Sequence, residues 1–305
     1  MKNNTLAIIL SIVITALGIA LLANSIIYKE WVLGFWGVAA LVCLALLIRR
    51  IRMSTKKGMS QHHHYKKVTI NADDFGASPE INMAIDYAFR QGIINSATIM
   101  VNAPYAQDAI NKAIKEGYIN YIGLHLCLDA GEPLTDAIKE YNLFGTKAFW
   151  QKKIHRFFMP RATRKALEQE IEAQMQKYIS LGCTAMHIDS HHHLHHFPSI
   201  LPSVISLAKK YDFRSMRISR NIGFGISPFS KIVKFILNST IAHNFETSSY
   251  FGNMQNYKDS SLNKEKKLEI MVHPKVKNGK YVDWVDFGLY NNLDDYSILK
   301  DVQND

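Results

Sequence analysis

The chain has 305 residues, 48% of them hydrophobic, enough for one large domain with extras or two modest ones. A formal net charge of +10 suits an anionic membrane, nucleic acid or anionic polymer as partner and says nothing about fold. Cys43, Cys127 and Cys183 form no C-x-x-C pair, which argues against a disulfide framework and reads as three buried thiols.

Leu6 to Ile27 is a run of about 22 residues without charge, and Trp31 to Ile48 a second of about 18; a helix needs roughly 20 apolar residues to cross the hydrocarbon core. The link Tyr28-Lys29-Glu30 allows only a tight hairpin, and Tyr28 and Trp31 fall where amphipathic rings favour the interface. Residues 1–50 are therefore expected to form a two-helix transmembrane hairpin. Arg49, Arg50, Arg52, Lys56 and Lys57 follow the second run, which orients both termini and the downstream domain to the cytoplasm. A signal peptide ending near Ala23-Asn24-Ser25 is the alternative, with a long apolar core and only Lys2 before it. Residues 51–65 form a basic linker whose cations suit anionic lipid headgroups and whose His62 to His64 read as solvated.

From residue 66 the pattern changes. Val68 to Ile70 is a short buried strand leading into "NADDFG". In "SPEINMAIDYAFRQG", Ser78 caps a helix, Pro79 and Glu80 suit its first turn, and Ile81, Ala84, Ile85, Ala88 and Phe89 share a face up to Gly92. "SATIMVN" and "YIGLHLCL" read as strands, and "RKALEQEIEAQMQKYISLG" as a long helix. "TAMHIDS", "SMRIS" and the late "KLEIMVHP" read as further strands, with a helix in "SILPSVISLAKKYD". Residues 136–162 and 221–260 look irregular, as insertions or lids. Alternating strands and helices predict a parallel sheet or barrel of β/α units.

Carboxylates and imidazoles gather at the predicted strand ends: Asp73 and Asp74 after the first, His125 on "GLHLCL", Asp189 and His191 after "TAMHI", His273 after "EIMV". Sites in α/β folds form on that edge. Two imidazoles and a carboxylate around a divalent cation, with positions left for water, make a hydrolytic centre; a second carboxylate serves as base and a further histidine as acid. Each cluster alone has a bland reading. "NADDFG" suits a turn, His125 a satisfied core histidine, His273 a strand-end turn; together they converge on one rim. "HIDSHHHLHH" has a strand-like frame in Ile188 and Leu194 and an aspartate that a solvated histidine loop does not need.

"NADDFGASPEIN", "GIINSATIMVN", "GLHLCLDAGEPL", "HIDSHHHLHHFP" and "EIMVHP" occur in this order over about residues 66 to 275, and on them the chain resembles the YdjC-like carbohydrate deacetylases, which include chitooligosaccharide deacetylase. The resemblance implies a distorted (β/α) barrel of the polysaccharide-deacetylase type over residues 66–305. It implies one divalent metal ion, Mg²⁺ or Zn²⁺, on Asp74, His125 and His191. It further implies Asp73 as base and His273 as leaving-group acid. Asp189 is placed to orient a ligand histidine, and His193, two residues beyond His191 on an extended segment, to face the same way as a supporting or substrate contact. The expected activity is removal of acetyl from an N-acetylated carbohydrate. The hairpin departs from the family's mostly soluble pattern and points to a lipid-linked or otherwise membrane-near sugar. Two other readings remain open: hydrolysis of another bond such as a phosphoester, and a non-catalytic glycan-binding protein at the membrane. The chain has no helix-turn-helix and no basic-aromatic stripe of a nucleic-acid binder.

Overall fold

A computed structural model describes residues 67–144, 152–263, 265–284 and 292–299. They belong to the second of two compact units, His63–Asp305. The expected hairpin, the linker and Cys43 lie outside the described residues, and among those described no helix is long and apolar enough to cross a membrane.

Seven parallel strands form the core sheet. In chain order they are β1 (Val68–Phe75), β2 (Ser96–Ile99), β3 (Ile122–Leu126), β4 (His187–Ser190), β5 (Ser215–Met216), β6 (Tyr250–Gly252) and β7 (Leu268–Val272). Their order in space is β5-β4-β3-β2-β1-β7-β6, so the last strand enters between the first and β6. The helices α1 (Pro79–Arg90), α2 (Ala106–Lys115), α3 (Asp136–Lys139), α4 (Lys153–Phe157), α5 (Arg161–Ser180), α6 (Leu201–Lys210), α7 (Pro228–Asn244) and α8 (Met254–Lys258) occupy the connections. The sheet curls until its edges meet: Ser215 and Glu246 form a parallel bridge, and the Met216 amide donates to the Glu246 carbonyl at 3.1 Å. Asn221 adds stitches to Phe251 and Ser249. Such a curled, helix-flanked parallel sheet is consistent with a (β/α) barrel.

Local chemistry explains most boundaries. Ser78 accepts a hydrogen bond from the Ile81 amide, and Ile81, Ala84, Ile85 and Ala88 are buried, as their spacing predicts. Phe89 is only partly buried and stacks on Tyr118. All eight residues of β1 are buried, which fits a central parallel strand covered on both faces. On β3, a Cβ at Gly123 would lie 3.0 Å from the His187 carbonyl and 3.1 Å from its ring; glycine lets β4 bring that histidine in. Cys127 and Cys183 are buried free thiols, as expected.

The structure corrects three expectations. Strand β1 runs to Phe75, so Asp73 and Asp74 lie within it rather than in a turn beyond it; the register shifts between Ala72 and Phe75, and Asp74 takes φ 65°. Residues 221–260 are not irregular: they hold α7, β6 and α8, and residues 136–162 hold α3 and α4. Helix α7 escapes periodicity because it has no buried face: of its residues only Ile241 is buried. Its caps are legible: Ser227 accepts from the Ser230 amide and Pro228 opens the first turn. Helix α2, between "SATIMVN" and "YIGLHLCL", is a further element not read from the sequence.

Two devices hold the rim. On α5, buried Glu170 accepts from the Leu134 and Thr135 amides, the Thr135 hydroxyl and Gln174 Nε2, all within 3.0 Å. Gln174 bonds both the amide and the carbonyl of Cys127, so one helix clamps the loop after β3. After β7, strands β8 (Pro274–Lys277) and β9 (Lys280–Asp283) form a hairpin around Asn278-Gly279, both with positive φ. Substituting Glu170→Ala strands four donors near the site. Urea unfolding followed by circular dichroism should show a loss of about 2–4 kcal/mol, with Glu170→Gln intermediate; an unchanged midpoint would show that the clamp adds nothing.

Candidate metal and catalytic site

At the C-terminal edge of the sheet, β1 supplies Asp73 and Asp74, β3 His125 and β4 Asp189. His191 follows β4, Arg217 follows β5, and Glu269 and His273 come from β7 and its end. Asp74, His125 and His191 each offer one ligand atom, all within 4.8 Å of one another. Asp74 Oδ1 lies 3.2 Å from His125 Nε2 and 3.0 Å from His191 Nδ1. His125 Nδ1 donates to Asp189 Oδ1 at 2.7 Å, with Thr98 Oγ1 3.2 Å away. That bond fixes the ring so that Nε2 faces Asp74 and His191. Two imidazoles and a carboxylate on rigid strands, one imidazole already oriented from behind, are a donor set that fits a divalent cation.

Burial opposes a charge on His125, but Asp189, Asp74 and Asp73 outweigh it and hold its basicity well above the usual imidazole range. Burial likewise opposes ionisation of Asp74, and hydrogen bonds from His125 and His191 reverse the outcome, keeping this carboxyl well below its ordinary value.

Asp73 is held differently. Arg217 grips it as a fork, Nη1 to Oδ2 and Nη2 to Oδ1, both at 2.7 Å, while Asn71 Nδ2 donates to Oδ1 at 2.9 Å. Burial pushes this carboxyl up; the guanidinium, His125 and His273 together pull it far below the carboxylate range. His273 Nε2 lies 3.8 Å from Asp73 Oδ2. The β8–β9 hairpin holds that histidine by its backbone: its amide donates to Asp283 Oδ1 and its carbonyl accepts from the Trp284 amide, both at 3.1 Å. Tyr296 in turn donates to Asp283 Oδ2 at 2.5 Å.

Arg217 and Glu269 went unrecognised in the sequence. Arg217 is fully buried, donates to Glu269 Oε1 at 2.6 Å, lies 2.7 Å from Asp189 Oδ2, and sits over the Phe251 ring at 4.8 Å. A signal was available: Glu269 is the one charge inside the otherwise apolar β7, and Arg217 directly follows β5 between Met216 and Ile218. Burial raises the Glu269 carboxyl despite the adjacent guanidinium.

The histidine tract separates into distinct tasks. His187, on β4, pairs with the Ser215 hydroxyl at 3.0 Å. After His191 the backbone is not extended, as expected, but turns through a 3₁₀ segment, His191–His196, with φ 48° at His192 and 56° at His193. His193 therefore does not face the same way as His191. It meets Phe251 edge-on and His196 face-on, and its buried Nδ1 has no hydrogen-bond partner. Burial, with Arg217 and His196 nearby, keeps it neutral. His192 reaches outward to Asp129, Nδ1 to Oδ2 at 2.6 Å; Asp129, His191 and His192 form a second group whose ligand atoms lie within 4.8 Å. His195 and His196, without an expected role, both direct Nε2 at the Arg217 carbonyl from 3.1 Å, and His195 Nδ1 also meets the Ser190 hydroxyl at 2.5 Å. Burial lowers both rings, His196 to about 3, so both are neutral imidazoles able to donate one proton each to that carbonyl. They set the backbone from which Arg217 projects.

A carbohydrate deacetylase of Brevibacillus brevis is 37% identical over 145 residues, 48% of this chain and 56% of that protein. One from Geobacillus stearothermophilus is 36% identical over 160 residues, 50% and 60% of the two chains. One from Vibrio cholerae is 38% identical over 149 residues, 48% and 56%. The chain thus spans a little over half the length of the curated relatives it matches. Among solved structures, a putative cellobiose-phosphate cleavage protein from Enterococcus faecalis superposes with a TM-score of 0.53 at 24% identity, covering 78% of this chain and 90% of that one, a likeness of fold. The family model described as YdjC-like protein matches residues 67–303, a span that includes every strand and every site residue named above. The chain belongs to the YdjC-like family.

Proposed function

We propose that the protein is a metal-dependent hydrolase that removes acetyl from an N-acetylated carbohydrate. The observation that carries this reading is one juxtaposition: an Asp–His–His donor set oriented by Asp189, beside a carboxylate held ionised by Arg217 and facing a histidine. The relatives named carbohydrate deacetylases support the same chemistry.

Asp74, His125 and His191 would hold the cation, Mg²⁺ or Zn²⁺. A divalent ion bound there supplies an acidified water and a polarised amide carbonyl. The chain's own residues do the rest. Asp73, held ionised by Arg217, accepts the proton of the attacking water at Oδ2, the oxygen that faces His273. Arg217 keeps that carboxylate in position and balances its charge. His273, anchored by Asp283 rather than by a carboxylate at its ring, donates a proton to the departing nitrogen from the far side. Acetate and the free amine leave. Asp189 acts through His125, and His193 lines the wall beside Phe251.

The apolar runs Leu6 to Ile27 and Trp31 to Ile48, with cations after the second, support a membrane tether and a cytoplasmic site. The substrate is accordingly a sugar carried at the inner leaflet, a lipid-linked N-acetylated glycan.

The purified full chain should release acetate from such glycans and lose that activity on chelation, recovering with added divalent ion; release unaffected by chelator would refute the metal-dependent reading. His191→Ala should weaken metal affinity measured by calorimetry. Asp73→Asn should bind metal normally but turn over about 10²–10⁴-fold more slowly; full activity would remove Asp73 as the base. Arg217→Lys keeps a charge but loses the fork, with kcat/KM expected to fall about 10–100-fold. Because the guanidinium stabilises the ionised carboxyl, weakening it raises the Asp73 pKa, and the acidic limb of the rate profile should move to higher pH.

A further inference from the structure

Helix α7 is unusual for a helix in a β/α fold: of its seventeen residues only Ile241 is buried. Phe229, Ile232 and Phe235 stand in solvent along it, and Phe224 does so just before it. A second apolar group, Phe157 and Phe158, projects from the end of α4; these five phenylalanines are between 61% and 76% exposed. Scattered apolar residues are normal on a surface, but adjacent aromatic groups on one helix are not.

Both groups border the site. Helix α4 is tied to the segment after the histidine tract: Ser199 donates through its amide and hydroxyl to the Arg156 and His155 carbonyls, and Arg156 lies over the Phe197 ring. At the other segment, α7 is tied to the loop after Arg217, with Lys234 Nζ donating to the Arg220 carbonyl at 2.9 Å and Asn238 bonding the backbone of Ser219. The α7 group therefore rides on the segment that leaves β5, and the α4 group, on the connection after β3, is tied to the segment that leaves β4.

Charge indicates what they meet. From Tyr141 to Leu167 the sequence has seven lysines and arginines and no acidic residue; from Phe213 to Phe245 it has, apart from the buried and paired Arg217, four and again none. Beyond Leu167, by contrast, α5 carries Glu168, Glu170 and Glu172 with Lys177. Exposed phenylalanine and isoleucine among unopposed lysine and arginine is the composition of a surface that seats in the headgroup–acyl boundary of an anionic bilayer. We infer that α7 and the α4 end form a membrane-docking face, seating the rim of the site on anionic phospholipid so that the substrate reaches it from the leaflet. This deepens the lipid-linked reading and rests on it for the substrate, but the contact itself is independent of turnover.

The test uses the full chain reconstituted in phosphatidylcholine vesicles, with and without phosphatidylglycerol. In a Cys43→Ser background, the other cysteines being buried, an environment-sensitive fluorophore is attached at Phe157→Cys, Phe229→Cys or Phe235→Cys. Ile114→Cys is the control, an exposed apolar residue at the far end of α2, which leads to the opposite edge of the sheet. Quenchers carried on lipid acyl chains should extinguish emission at the three rim positions and spare Ile114. The loss should deepen with phosphatidylglycerol, and Lys231→Glu should abolish that increment. Rim labels quenched no more than Ile114 would overturn the proposal. So would labels that emit as if buried yet escape the lipid quencher, because the face would then be covered by protein, either a second copy or this chain's own N-terminal segment. Neither readout requires acetate release, so a failed deacetylase assay and a failed docking face are distinguishable.

Discussion

The site depends on one buried guanidinium. Arg217 has no exposure, yet it meets Asp73 of β1, Asp189 of β4 and Glu269 of β7, three carboxylates from three strands. Removing such a cation leaves uncompensated charge in low dielectric, a far larger penalty than the loss of a surface pair. The carboxylates in turn set everything nearby. Asp189 fixes the His125 ring, Asp73 stays ionised beside His273, and Asp74 collects two imidazoles. Four buried carboxyl groups surround one arginine and the basic ring of His125, and burial pushes Glu269 toward its protonated form. The proposed divalent cation between Asp74, His125 and His191 would add positive charge to this cluster.

Histidine richness is thus a division of labour rather than a multiplication of ligands. One imidazole of the tract joins the donor set, two neutral ones grip a single carbonyl, one reaches Asp129, and another lines an aromatic wall. The grip on the Arg217 carbonyl matters because a forked hydrogen bond tolerates little misalignment. Residues adjacent in sequence serve opposite sides of the same site because the backbone turns sharply through left-handed conformations at His192 and His193.

Much of this was legible in the sequence. Strand ends carrying Asp73, Asp74, His125, Asp189, His191 and His273 predicted which edge would hold the site, because parallel β/α units bring those ends together. The first helix was readable from Ser78, Pro79 and its apolar spacing. Other features were not. Glu269 is a single charge in the apolar β7 and Arg217 a single charge just after β5, and nothing in one chain's pattern says that the two face each other. The turn in the histidine tract was misread as extended because alternation at Ile188 and Leu194 mimics a strand. Helix α7 lacks a buried face, so the periodicity that identifies helices had nothing to act on.

The placement of β7 has a bearing on how the chain is made. This strand pairs with β1 across some two hundred residues and enters the sheet beside it, delivering both Glu269 and His273. Pairing at that separation carries a high closure entropy and forms late. On a ribosome, nearly the whole domain must emerge before Arg217 meets all its partners. A prematurely terminated product would expose β1 as an open edge and leave the charges unbalanced, a state that invites proteolysis. The strand that completes the charge cluster is thus among the last to be made, and a product that stopped before β7 would lack Glu269 and His273.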